Sequence, residues 1–310
     1  MKGLLQTIIN ILYRFPRSRL KDIKRKGGII NQYVIEKHRK AMVNTSVVIR
    51  VEPYPAVKSK LEICFLTGKK YWYQTVFCIL SLSKVSRKHF SFIIYDDGTI
   101  DTDLADKIRK QVPCATIVFK SEIESRLNQY LPEDTYPFLR NKRFVYPHIK
   151  KLTDIYAGTS GWKLVLDSDM LFFNNPEIMI NWLENPSQPF YILDSVNSYG
   201  YSKSLMNELS TRNLPDFINV GMVGLNNSLI DWDKLEYWAK TMESREGTSY
   251  YLEQALTAMI IGDGPAVIGP KTDYIVMPTK DQVINGEGVL HHYVDVSKEW
   301  YFKEAWKRFF

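Results

Sequence analysis

Leu164-Val165-Leu166-Asp167-Ser168-Asp169-Met170-Leu171-Phe172-Phe173 is the stretch on which the fold turns. Trp162 to Leu166 is an apolar run that reads as a buried strand, and two carboxylates leave it at alternate positions. In extended chain, residues i and i+2 project to the same side, so Asp167 and Asp169 can converge on one hard cation, Mn2+ or Mg2+. Two acids at the end of a buried strand are costly unless something positive faces them. Read alone, Asp-x-Asp also fits a strand end capped by solvated acids.

Upstream of this stretch the chain alternates. Leu61 to Leu66 reads as a buried strand, Trp72 to Leu82 as a helix and Phe90 to Tyr95 as a strand ended by the turn signal Asp96-Asp97-Gly98. Asp101 to Gln111 reads as a helix with Asp101 or Thr99 as N-cap, Ala115 to Phe119 as a strand and Arg143 to Tyr156 as a helix. Such alternation predicts an α/β fold with a parallel sheet covered by helices on both faces. Ligands bind beyond the carboxyl ends of such strands, which singles out Thr67-Gly68, Asp96-Asp97 and Asp167-Ser168-Asp169. Downstream the pattern is mixed. Strand-like pieces lie at Phe190–Leu193, Asn219–Leu225, Val267–Ile268 and Val289–Tyr293, with helices at Asp231–Met242 and Tyr250–Ile261. Nothing between them resembles a flexible linker, so one domain is expected over residues 58–300.

Four blocks, in order, carry a resemblance. They are Phe65-Leu66-Thr67-Gly68-Lys69-Lys70-Tyr71 running on to Ser81-Leu82, then Leu166-Asp167-Ser168-Asp169, then Phe217-Ile218-Asn219-Val220-Gly221-Met222, and last His292-Tyr293-Val294-Asp295-Val296-Ser297-Lys298-Glu299-Trp300. In these the chain resembles the GT-A glycosyltransferases, most closely the retaining galactosyl- and glycogenin-type enzymes of glycosyltransferase family eight. The resemblance implies a Rossmann-like mixed sheet flanked by helices in a single catalytic domain. It also implies metal-dependent transfer of a hexose from a nucleoside-diphosphate sugar, a UDP-sugar, to a glycan or lipid-linked glycan, with retention.

Carried over residue by residue, Asp167 and Asp169 would hold Mn2+ (or Mg2+) with His292 as third ligand, and His291 is the alternative if the register slips by one. Lys298 would contact the donor diphosphate. Thr67 and Gly68 fall in the block that holds the nucleotide base, Ser168 in the metal motif, and Asn219 and Gly221 in the strand near the sugar. Asp96 and Asp97 could accept hydrogen bonds from base or ribose, or be ordinary turn acids. Arg143 matches a basic residue that the family places before the metal strand, and Asp194 sits where the family has acids near the donor sugar. Tyr250 to Leu256 is similar to the family's Asp-Gln pair, which would put Gln254 beneath the anomeric carbon and Glu253 on sugar hydroxyls. Glutamine is a poor nucleophile, so retention would proceed by front-face attack, with Gln254 stabilising an oxocarbenium-like state. The family pattern in the last block is His, aromatic, any, Gly, any, any, Lys, Pro, Trp. Asp295 stands in place of the Gly and Glu299 in place of the Pro.

Charge is unevenly placed. Residues 1–40 hold eleven Lys/Arg against two acids, a net of +9, which leaves 7 − 9 = −2 for the remainder. A nucleic-acid protein would carry basic surface on its folded domain, so no nucleic-acid partner is expected. Residues 1–57 read as a basic, partly amphipathic N-terminal segment. Its apolar stretch Leu4–Tyr13 is about ten residues, short of the ~20 needed to span a bilayer. No small-residue cleavage site follows, which argues against a signal peptide. A helix of this kind can lie on an anionic membrane surface or dock on its own domain. Residues 301–310 form a basic-aromatic tail that suits a membrane interface or packing on the domain. Three cysteines without a CxxC pair suit a reducing compartment, so the expected location is cytoplasmic, peripheral on the inner face of the membrane. The 19 Tyr and 7 Trp suit both sugar stacking and a large core.

Two rival readings exist. A haloacid-dehalogenase-like phosphohydrolase also uses Asp-x-Asp after a strand, but its motif continues to Thr or Val where this chain has Leu171. A non-catalytic GT-A-like domain that binds sugar or a partner would be favoured by the acid at Asp295.

Overall fold

The structure, a computed structural model, describes residues 23–25, 27–52 and 61–310. The apolar stretch Leu4–Tyr13 and most of the basic arm lie outside the described residues. Helix α1 (Gly28–Ser46) comes first, followed by β1 (Glu62–Thr67), α2 (Trp72–Val85), β2 (Ser91–Asp96), α3 (Thr102–Gln111) and β3 (Ala115–Val118). Asp101 caps α3 by accepting from Leu104 N, as its position in the sequence suggests. Three helices then precede β4 (Trp162–Leu166): α4 (Lys120–Tyr130), α5 (Pro137–Val145) and α6 (Lys150–Tyr156). The single helix expected over Arg143–Tyr156 is therefore broken. Tyr146 leaves the helical region at φ −141, ψ 78, as the residue before a proline prefers, and Pro147 opens a short 3-10 turn that leads into α6.

The second half runs β5 (Met170–Phe172), α7 (Glu177–Glu184), β6 (Phe190–Leu193), α8 (Lys203–Ser210), β7 (Ile218–Asn226), α9 (Trp232–Glu246) and α10 (Leu252–Ile261). It closes with β8 (Val267–Gly269), β9 (Tyr274–Val276), α11 (Lys280–Asn285), β10 (Leu290–His292), α12 (Lys298–Lys303) and a 3-10 turn over Ala305–Phe309.

Seven strands form one sheet in the order β3-β2-β1-β4-β7-β6-β8. Strands β3, β2, β1 and β4 are parallel, but β7 runs antiparallel to both β4 and β6. The wholly parallel sheet suggested by the alternation thus gives way to the mixed sheet, because β7 fills the slot between β4 and β6 from the opposite direction. Successive side chains of a strand face opposite sides. Ile63 and Phe65 accordingly join one core with Trp72 and Phe77, while Cys64 joins a second with Leu127 and Tyr156. Both faces are covered, and the middles of the central strands, such as Ile63–Leu66 and Leu164–Leu166, are accordingly apolar.

A second, three-stranded sheet has the order β5-β10-β9. The chain leaves the large sheet at Leu166 and enters the small one at Met170, so Asp167-Ser168-Asp169 is the seam between them. That link positions the site.

Both ends of the described chain are fastened to this body. The Gln111 amide donates to Ser46 O (2.5 Å) and Ile49 O (3.2 Å) past the end of α1, and its oxygen accepts from Trp72 Nε1 (2.8 Å). Residues 301–310 are not a free tail. Trp306 and Phe309 are buried in the first core, and the Trp306 ring meets Phe77 edge-on at 5.4 Å. Their apolar area is what holds the segment down. Among the described residues, no helix is long and apolar enough to cross a membrane. Replacing Trp306 with Ala should cost about 3–5 kcal/mol of stability, read as a lower denaturant midpoint. An unchanged midpoint would show that the C-terminal segment is not integral to the core.

Candidate metal centre

Backbone pairing assembles the centre before any side chain is considered. Asp167 N donates to Gly221 O of β7 (2.7 Å), and Tyr293 N donates to Asp169 O (2.9 Å). In the antiparallel pairing of β10 with β5, His292 lies opposite Met170, one residue from Asp169. The result is a cluster. His292 Nε2 is 3.4 Å from Asp169 Oδ1 and 3.7 Å from Asp167 Oδ2. Ligand atoms of all three side chains lie within 4.8 Å of one another, and no other such group of three occurs among the described residues. His291, one position back, points elsewhere. Its Nε2 lies 2.7 Å from Glu287 O, its ring packs on Phe173, and burial pushes its pKa down to about 4.

The state of His292 follows from its neighbours. Asn219 Nδ2 donates to Asp194 Oδ2 (3.0 Å), and Asn219 Oδ1 accepts from Gly221 N (2.9 Å). Those two partners fix which end of the amide is oxygen. His292 Nδ1 sits 3.0 Å from that oxygen and must donate to it. In the neutral ring Nε2 is then a lone pair aimed at two carboxylates. Such an arrangement is repulsive unless a proton or a cation lies between. Two hard oxygens and one imidazole nitrogen suit Mn2+ or Mg2+, and the oriented second nitrogen is the usual support of a ligating histidine. The residues present therefore fit a divalent ion.

Gly221 has a steric reason to be glycine. A Cβ there would lie 2.3 Å from His292 Cε1 and 2.7 Å from Met170 Cε. Gly68 is similar, since a Cβ would meet Asp97 Oδ1 and Thr99 Oγ1 at 2.1 Å.

Two lysines face the acids. Lys298 Nζ is 3.1 Å from Asp169 Oδ2. Burial works against ionisation of Asp169, yet the His292 ring and the Lys298 ammonium hold its carboxyl well below the usual range. Lys151 was not foreseen. It is buried on α6, donates to Asp167 Oδ1 (2.8 Å) and Val220 O (3.1 Å), and lies 3.1 Å from Glu253 Oε1. Burial disfavours its charge, but the carboxylates of Asp167 and Glu253 keep it protonated. Glu253 is pushed up to about 7, chiefly by burial, with the Asp167 charge adding and Lys151 offsetting.

The other expected residues divide. Asp194, at the end of β6, joins the cluster through Asn219, and Gln254 Nε2 approaches it at 3.5 Å while donating to Ser198 O at 3.0 Å. Ser168 Oγ bonds Thr75 Oγ1 (2.8 Å), which bonds buried Thr67 Oγ1 (2.8 Å), so Thr67 supports the seam from behind. Asp96 is buried, and its oxygens accept from the backbone N–H groups of Gly98, Ile100 and Lys120. Asp97 accepts from Thr99 N (3.0 Å) and Oγ1 (2.6 Å). Arg143 is not an available cation. It is buried against Asp154 (2.6 and 2.9 Å) and Glu124 (2.8 and 3.3 Å), tying α5 to α6 and α4. Lys151, on the next helix, is the basic side chain that meets Asp167 and Glu253.

No family model and no curated protein matches the sequence. Solved structures do match the fold. The galactosyltransferase LgtC, solved with donor and acceptor sugar analogues, superposes with a TM-score of 0.52 at 14% identity, covering 80% of this chain and 93% of that one. An active-site mutant of LgtC gives 0.52 at 15% identity over the same shares. WbbM, a bifunctional glycosyltransferase solved in its apo form, gives 0.51 at 10% identity over 82% of this chain, which spans 51% of WbbM's length. The chain thus has the mixed α/β architecture of the GT-A glycosyltransferase fold.

Gly221→Ala should displace the His292 ring and weaken Mn2+ binding by about 10–100-fold in a calorimetric titration. Wild-type affinity in this variant would separate His292 from the metal.

Proposed function

We propose that this chain is a metal-dependent glycosyltransferase. It would move a hexose from a nucleoside-diphosphate sugar, a UDP-sugar, to a glycan or lipid-linked glycan acceptor. The observation that carries the reading is the placing of His292 Nε2 3.4 Å from Asp169 Oδ1 and 3.7 Å from Asp167 Oδ2, with Asn219 holding the ring from the other side. When bound there, Mn2+ (or Mg2+) supplies charge stabilisation for the departing nucleoside diphosphate.

The chain's own groups do the rest. Lys298, beside Asp169, would serve the diphosphate as a point cation. Lys151 balances Asp167 from beneath, so the two acids can stay ionised at the seam. Asp194 and Gln254 stand together where β6 ends and α10 begins, which suits binding of sugar hydroxyls and the anomeric region. An amide at that place favours front-face attack with retention over a covalent intermediate. Glu253 is engaged with Lys151, which supports a role in holding the site together alongside any contact with the sugar. Thr67, Gly68, Asp97 and Ser168 remain the proposed donor side, at the carboxyl ends of β1, β2 and β4.

The phosphohydrolase reading rested on Asp-x-Asp alone and has no place for the histidine delivered by β10. The non-catalytic reading rested on Asp295, whose charge is paired with Arg25.

Incubation with a panel of nucleotide sugars and Mn2+ should give nucleotide release with a preferred donor, and Asp169→Asn should abolish it. Equal release from both proteins would remove the metal from the chemistry.

An anionic membrane surface is the proposed setting for a lipid-linked acceptor, on the cytoplasmic side. The outward face of α1 supports this. Ile29, Ile30 and Tyr33 are 73%, 82% and 73% exposed, Lys37 and Lys40 follow on the same face, and exposed Val47 and Val48 lie just past its end. Apolar and basic groups on one helix face suit an interfacial helix. Vesicles containing anionic phosphatidylglycerol should sediment the protein while phosphatidylcholine vesicles should not, and Ile30→Glu with Tyr33→Glu should release it. Equal sedimentation of the double variant would contradict a role for this face.

A further inference from the structure

Asp295 and Glu299, the two departures from the family pattern in the closing block, are both gripped by the N-terminal segment. Asp295 has φ 47, in the left-handed region that glycine takes freely and aspartate tolerates. The turn therefore keeps a shape that glycine would allow, while the new carboxylate forms an ion pair with Arg25. Glu299 Oε2 accepts from Asn31 Nδ2 (3.0 Å), and Lys303 Nζ closes the triangle on Asn31 Oδ1 (2.6 Å) and Glu299 Oε1 (2.7 Å).

These contacts surround one residue. The turn Asp295–Ser297 leads straight into α12, whose first residue is Lys298, and the N-terminal segment touches the chain on both sides of it, through Arg25 at Asp295 and Asn31 at Glu299. We propose that Arg25 and Asn31 are positioning residues for donor binding, with the start of α1 and the residues just before it acting as a clamp on the turn that presents Lys298 to the diphosphate. This deepens the reading of the site as a nucleotide-sugar site and rests on it. Arg25 neutralises an acid placed three residues from the phosphate cation, where an unpaired charge would repel an anionic donor. Asn31 holds Glu299 against Lys303 and so fixes the first turn of α12, which no proline stiffens here.

The test is a charge swap in the full chain: Arg25→Glu, Asp295→Arg and the two together, with Asn31→Ala as an uncharged comparison. UDP affinity in the presence of Mn2+ is read by calorimetry, and amide exchange over residues 293–300 is read without ligand. Arg25→Glu should bind UDP on the order of tenfold more weakly and raise the donor KM with kcat unchanged. Exchange in the turn should quicken in each single charge variant, Asn31→Ala should quicken it too, and the swap should restore both affinity and protection at an unaltered melting temperature. An Arg25→Glu variant that binds UDP as the wild type does, or a swap that stays as weak as that variant, would overturn the clamp. A wild-type protein that takes up no UDP with Mn2+ would instead sink the donor reading, and the clamp's role with it.

Discussion

Two carboxylates are set at the seam between two sheets, where burial forces positive charge to meet them. Asp167 and Asp169 end a strand whose residues are buried on both faces, and an unmatched acid there would be costly. Lys151 from α6 and Lys298 from α12 answer that cost with charge, and the His292 ring from β10 closes the third side. Each arrives by a different part of the fold. The β5–β10 register, the antiparallel insertion of β7 and the break at Pro147 are all conditions for the same few ångströms of chemistry.

The supporting layer is as constrained as the ligands. Asn219 can orient His292 only because Asp194 and the Gly221 amide fix its own orientation. Gly221 can pass under the imidazole only because it lacks a side chain. The Asn-x-Gly strand is thus a packing and hydrogen-bonding unit for the histidine. Its spacing in the sequence reflects the two-residue reach of one side chain back to the backbone of β7.

Much of the fold was legible in the sequence. The first three strands and the α2 and α3 helices follow from apolar runs and a capping aspartate, and β4 with its two acids marked the site. What escaped has physical causes. β5 is three residues long and continues the apolar run of the motif, so it does not read as a strand of a second sheet. Helix α4 is polar along most of its length and buries few side chains, Ile123 and Leu127 among them. The break at Tyr146-Pro147 was visible as a proline but was read through. Lys151 faces the seam and Arg143 does not, because position on a helix decides which cation meets the acids. A sequence places seven residues between them without saying that a turn intervenes. The cluster of Asp167, Asp169 and His292 was legible because the motif and the closing block name its members, whereas the Asn219 relay required the actual register of β7.

The N-terminal helix changes how the closing block should be viewed. A glycine and a proline suit a turn that must be shaped by its own backbone. Here an aspartate and a glutamate hand that task to Arg25 and Asn31, at the expense of making the turn depend on a distant segment. Crystals grown with Mn2+ and UDP, measured with anomalous scattering, test the centre most directly. The expected result is one manganese peak ligated by Asp167, Asp169 and His292 Nε2, with the diphosphate against Lys298. A peak bound elsewhere, or a His292 ring turned away from the ion, would contradict it.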